Sequence, residues 1–157
     1  MKLWEKVLCE RLKLITNVDE NQCGFTQGRS TADNIFSLRH LQSVHLEKRR
    51  QLFHIFVDLE KAFDRIPRAA IRWALRRQCV PERLVASVLN LYESTTSKVA
   101  VAGDLSDDFP IEVGVHQGSI LSPLLFIIVT EEATRHCRGL APWEMLYADD
   151  LVITGVS

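Results

Sequence analysis

The run Leu52-Phe53-His54-Ile55-Phe56-Val57-Asp58-Leu59 constrains this chain more than any other stretch. It is short, apolar and nearly free of polar alternation, so it reads as a β-strand buried on both faces. A strand of that kind belongs to a sheet packed with helices, and helical periodicity lies on either side of it. The apolar share of 46% is globular usage, and 157 residues suffice for one ordinary domain with a sizeable core.

Before the strand, Leu3, Trp4, Val7, Leu8, Leu12 and Ile15 predict a helical stripe over 3–15. Residues 21–30 contain Gly24 and Gly28 and read as a loop or irregular strand. Ser30 or Thr31 then caps a helix running to about residue 50, with Ile35, Leu38, Leu41 and Leu46 spaced for a buried face. After the strand, Pro67 and Pro81 each suit the first turn of a helix, ending near 79 and 94. Residues 98–103 and 109–113 read as strands joined by a loop, and Ser122-Pro123 opens another helix. At the end of the chain, 145–147 and 151–153 are short apolar runs flanking Ala148-Asp149-Asp150, a hairpin signature. The fold class is α+β.

Several functions are disfavoured at once. The longest apolar run, 124–129, is far too short to span a bilayer, and the charged N-terminal stretch has no signal-peptide core. An intracellular protein with no membrane contact is expected. The cysteines at 9, 23, 79 and 137 form no CxxC pair and read as small buried apolar groups in a reducing compartment. The five histidines are scattered, which argues against structural zinc. The net charge of −1 conceals an asymmetry: 39–86 carries eleven basic and five acidic residues, 87–157 three and ten. A basic middle beside an acidic end suits a polyanion contact next to carboxylates, or simply solvated helix faces.

Asp58 stands near the end of an otherwise apolar strand, and Asp149-Asp150 at the tip of the terminal hairpin. Singly, each fits ordinary strand-end or turn chemistry. Should the strands be neighbours, three carboxylates converge, and like charges so close call for a cation between them. Hard oxygen ligands favour Mg²⁺, and two such ions about 4 Å apart serve in-line phosphoryl transfer.

In this light Phe56-Val57-Asp58-Leu59-Glu60-Lys61-Ala62-Phe63-Asp64 resembles the first catalytic motif of reverse transcriptases. The stretch 114–126, opening Gly114-Val115-His116-Gln117-Gly118, is similar to their second palm motif, and Tyr147-Ala148-Asp149-Asp150 to their YxDD box. Gln22-Cys23-Gly24-Phe25 running into Gly28-Arg29-Ser30-Thr31 most resembles the non-LTR, LINE-type retrotransposons.

The resemblance implies a reverse-transcriptase-like palm, a small antiparallel sheet packed with helices, plus partial fingers. About 1–50 is then a fingers portion and 51–157 palm, with the thumb absent. It implies an RNA-directed DNA polymerase using two Mg²⁺ ions (or Mn²⁺), an RNA template, a DNA primer and deoxynucleoside triphosphates. The alternative is an inactive retroelement remnant with at most nucleic-acid binding. Asp58, Asp149 and Asp150 are the implied catalytic and metal-binding residues. Phe63 is the implied gate against the 2′-hydroxyl, with a core aromatic as the alternative. Gln117 and Gly118 are implied near the incoming nucleotide, with a plain helix-preceding loop as the alternative. Arg29 is an implied triphosphate contact, and Tyr147 packs beneath the primer end.

Overall fold

A computed structural model of the chain describes residues 2–19, 21–26, 28–101, 103–137 and 144–156. In chain order the elements are α1 (Lys2–Lys13), α2 (Thr31–Glu47), β1 (Phe53–Asp58), α3 (Ala62–Arg65), α4 (Arg68–Arg77) and α5 (Glu82–Leu89). There follow β2 (Thr96–Ser97), β3 (Ala100–Val101), β4 (Asp104–Leu105), β5 (Phe109–Pro110), α6 (Ser122–Thr134), β6 (Glu144–Tyr147) and β7 (Asp150–Gly155). Two compact units result, each discontinuous in sequence: Met1–Asn17 with Lys61–Val129, and Val18–Glu60 with Thr130–Ser157.

The first unit holds one apolar core. Leu8 and Leu12 of α1, Ile71 and Leu75 of α4, Val85 and Val88 of α5, and Leu121, Leu125 and Ile128 at α6 are all buried in it. The face of α1 differs from the expected stripe. Glu5, Leu8, Cys9 and Leu12 are buried, whereas Leu3, Trp4, Val7 and Ile15 are exposed. Positions 5, 8, 9 and 12 also form one helical stripe, and a specific bond selects it. The Glu5 carboxylate accepts from Ser119 Oγ at 2.9 Å and from the Ile120 N–H at 3.2 Å, which satisfies its buried charge.

Two further expectations are corrected in this unit. The helix over 81–94 stops at Leu89, because the chain turns to bury Tyr92, whose carbonyl accepts from Arg68 Nη1 at 2.6 Å. The strand over 98–103 is instead a nested pair of ribbons, β2 against β5 and β3 against β4, with Gly103 in the inner turn.

In the second unit the sheet order is β1-β7-β6, antiparallel throughout, so the terminal hairpin packs its second strand in the middle. The edge strand β1 is not buried on both faces: Phe56 is 71% exposed, and Phe53 and Ile55 are exposed with it. An apolar run records what a face prefers, and does not itself supply a cover. Likewise no residue of α2 is buried, so the face expected from Ile35, Leu38, Leu41 and Leu46 is not packed into a core. Its start is as read. Ser30 is the N-cap, and Asp33 Oδ2 accepts from the Ser30 N–H at 2.7 Å and from Ser30 Oγ at 3.0 Å. Residues 21–23 do form an irregular strand, bridging parallel to β6: the Cys23 N–H donates to the Leu146 carbonyl at 2.9 Å and the Leu146 N–H to the Asn21 carbonyl at 3.0 Å.

Cys9 and Cys23 are buried, and burial pushes both thiols above their ordinary pKa. Cys79 is exposed, against expectation: it lies beyond the end of α4, in the left-handed conformation that turns the chain away from the helix. The Cys137 side chain lies outside the described residues. No helix among the described residues is long and apolar enough to cross a membrane.

Candidate active site

The acids are brought together by strand register. Asp58 ends β1, Asp150 opens β7, and the two are direct cross-strand partners. Such partners share one sheet face with Cα atoms about 4.5–5.5 Å apart, and Asp149 is one peptide, about 3.8 Å, from Asp150. Asp58 and Asp150 are exposed, and Asp149 is half-buried. Hard carboxylate oxygens from one or two acids are what Mg²⁺ takes from a protein, so this donor pair fits a hard divalent ion. Among the described residues, three or more His, Cys, Asp or Glu side chains are nowhere gathered into one metal-sized cluster. Asp149 lies in the hairpin turn, outside the strand register that pairs Asp58 with Asp150.

The hairpin tip is tight. Tyr147 pairs with Asp150, which leaves Ala148 and Asp149 as a two-residue loop. Ala148 has a φ of +58°, and Asp149 has none in the left-handed region, the pattern of a type II′ turn. Glycine normally occupies that first central position; a residue with a Cβ there costs roughly 1–2 kcal/mol.

Support for this turn comes from a segment to which no role was given on sequence grounds. Gln22 is 1% exposed, and its Oε1 accepts from the Gly24 N–H at 2.9 Å and from the Ala148 N–H at 3.2 Å. Gly24 lies against the same turn: a Cβ there would sit 2.9 Å from the Tyr147 carbonyl carbon and closer still to Ala148 N, so only glycine fits. The sequence signal was the Gln-x-Gly pair itself, in a stretch with no periodicity.

Beside the acids lies a cavity of about 380 Å³, bounded by Asp58, Tyr147 and Asp150 and floored by the apolar side chains of Ile35, Leu38, Phe56 and Met145. Arg29 is exposed and follows Gly28 in the loop before α2.

The remaining expected residues belong to the first unit. Phe63 is half-buried and stacks on Phe126, with ring centroids 4.6 Å apart. Asp64 Oδ1 accepts from Gln117 Nε2 at 2.9 Å, which ties the end of the first motif to the second. Gly118 has a φ of +76° with open space where a Cβ would stand, so backbone conformation, not crowding, calls for glycine.

The family described as reverse transcriptase (RNA-dependent DNA polymerase) matches residues 1–157. The Pol polyprotein of the type-2 retrotransposable element R2DM of Drosophila melanogaster is 34% identical over 130 residues, covering 82% of this chain and 12% of that protein. The RNA-directed DNA polymerase from mobile element jockey of Drosophila funebris is 27% identical over 161 residues, covering 97% of this chain and 18% of that protein. The chain thus spans less than a fifth of either relative. Among solved structures, telomerase from Candida tropicalis, in complex with a TWJ fragment of telomeric RNA, matches with a TM-score of 0.66 at 16% identity, over 97% of this chain and 28% of that one. Telomerase from Candida albicans matches with a TM-score of 0.67 at 13% identity, over 96% and 30%. At those identities the likeness shows the fold.

Proposed function

Because this chain belongs to the reverse transcriptase (RNA-dependent DNA polymerase) family, we propose that it forms the nucleotidyl-transfer centre of a retrotransposon RNA-directed DNA polymerase. The observation that carries the reading is the pairing of Asp58 with Asp150 at the mouth of the hairpin. An edge of apolar sheet ending in exposed carboxylates suits charge neutralisation by a cation.

The family works with divalent metal ions; two Mg²⁺ ions, held by Asp58, Asp149 and Asp150, are the specific proposal. When bound, they supply Lewis acidity toward phosphate oxygens. The protein's own part is positional. β1 and β7 fix two acids in one register, and the turn at Ala148 fixes the third. Tyr147, half-buried at the cavity mouth, offers a flat surface for the primer end. Phe63 is proposed to exclude a 2′-hydroxyl, Gln117 and Gly118 to border the incoming nucleotide, and Arg29 to contact its triphosphate. An RNA template, a DNA primer and deoxynucleoside triphosphates are the proposed partners, and an intracellular location follows from them. The segment before about residue 50 is proposed as fingers and the rest as palm.

The test is extension of a DNA primer on an RNA template with Mg²⁺ by the protein that carries this chain, with Asp149→Ala as blank. Template-dependent DNA absent from the blank is the expected result. Extension equal in both, or absent from both while the chain is folded, overturns the reading.

A further inference from the structure

The strained turn at Ala148 needs something to hold it. A left-handed residue with a Cβ persists only where its surroundings over-determine it, and two neighbours do so here. The parallel bridge between Gln22 and Leu146 runs the segment beside β6 and stops one residue short of the tip. Gly24 then closes against Tyr147 and Ala148 with no room for a Cβ. Between them lies the side chain of Gln22, fully buried, its carbonyl oxygen shared by the N–H groups of Gly24 and Ala148. That oxygen is a common acceptor for the residue that closes on the turn and for the residue that is strained.

We propose that Gln22 is a positioning residue of the polymerase centre, its side-chain oxygen clamping Ala148 in the left-handed turn that presents Asp149 and Asp150. The inference rests on the functional reading above for its importance, but not for its geometry. Gln22 is not among the residues that line the cavity; its side chain reaches the turn through the Ala148 N–H. A buried donor that loses its acceptor has no water to replace it, so the closed turn gives way to conformations in which that N–H reaches solvent. The acids then sample several orientations instead of one, and transfer requires reacting atoms held in near-attack geometry.

Amide hydrogen exchange on the chain reads the clamp directly. Gln22→Leu should raise exchange at Ala148 about ten-fold relative to Val152 in the central strand, while Gln22→Glu, which keeps an acceptor oxygen at the same reach, should recover most of the protection. Equal acceleration at Ala148 and Val152 would mean that Gln22 serves global stability only, and overturns the proposal, as does no change at Ala148. If Gln22→Leu fails to fold, Ala148→Gly is added to it. Glycine takes the left-handed φ without strain, so the pair should fold again, and failure of the pair overturns the clamp. In primer extension, Gln22→Leu should lower kcat at least ten-fold with KM for the nucleotide unchanged within about two-fold; a rise in KM alone counts against it. Should the wild-type protein extend no more than Asp149→Ala, the polymerase reading falls, while the exchange data still decide the clamp.

Discussion

The two units of this molecule bury different things. In the first, residues from α1, α4, α5 and α6 share one apolar core, and Leu8, Leu12, Ile71, Leu75, Leu121, Leu125 and Ile128 are each inaccessible to solvent. In the second, the buried positions near the sheet include the polar Gln22 and Thr154, while Phe53, Ile55 and Phe56 stand exposed on β1. A hydrophobic core is forgiving of small shifts and derives its energy from area. A buried amide is directional, and a turn proposed to aim two carboxylates needs direction more than area. The first unit is therefore built for packing and the second for placement.

The largest effect expected from that contrast separates activity from stability. Asp58→Asn removes one of two adjacent exposed acids, so it should abolish primer extension, by at least about 10³-fold as for removal of a catalytic group. It should leave the thermal midpoint unchanged or slightly raised, because one like charge has gone. Extension assays beside thermal melts check both halves. A clear drop in midpoint would show that the acids also hold the sheet together and would break the comparison.

Next comes packing itself. Leu75→Ala or Leu125→Ala should cost about 2–5 kcal/mol, as cavity-forming core substitutions do. Phe56→Ala, at a position 71% exposed, should stay within about 0.5 kcal/mol. Urea unfolding of the three variants sharpens or breaks the distinction. A large cost at Phe56 would mean that β1 is covered in solution.

Phe63→Ala falls between these two. The stack on Phe126 at 4.6 Å is worth about 0.5–1.5 kcal/mol beyond the area it buries, so a moderate loss of stability is expected. The proposed gate role would add a separate signature, incorporation of ribonucleotides in primer extension. Loss of stability with unchanged nucleotide choice would leave Phe63 as a core aromatic of the first unit alone.

How much of this was legible in the sequence follows the same division. Asp58 could be placed at a strand end and Asp149-Asp150 at a hairpin tip because both are local patterns, whereas the pairing of β1 with β7 that joins Asp58 to Asp150 is non-local and was implied only by the resemblance. The face of α1 was misread because Glu5 is drawn inward by partners 114 and 115 residues away, and periodicity scores a glutamate as outward. Gln22 was invisible as a support for the turn for the same reason: its contact with Ala148 spans 126 residues. The exposure of β1 and α2 was missed because hydrophobicity states a preference for cover without stating where the cover is. The four-residue α3 is shorter than any periodic signal.

The smallest predicted effect concerns the start of α2, which walls the cavity through Ile35 and Leu38. Asp33 is exposed, and its carboxylate closes the first turn by accepting from the Ser30 N–H and hydroxyl. The backbone bond, then the hydroxyl, holds its pKa below the ordinary 3.8. A carboxyl depressed on folding contributes stability that is fully present above its unfolded value and is lost as pH falls below that, through the lower folded value. Acidification from pH 7 should therefore leave α2 intact to about pH 4 and loosen its first turn below it. Asp33→Asn should remove that acid-side step, at the expense of a drop of no more than a few degrees in thermal midpoint at pH 7. Glu82 in the first unit supplies the control, since its bonds from Arg76 at 2.7 and 3.0 Å also hold its carboxyl below the usual range. Amide exchange at the start of α2 in Asp33→Asn and Glu82→Gln, read at pH 6 and pH 3, tells the two steps apart. A pH dependence at α2 that survives Asp33→Asn would mean that another acid governs the entrance to the cavity.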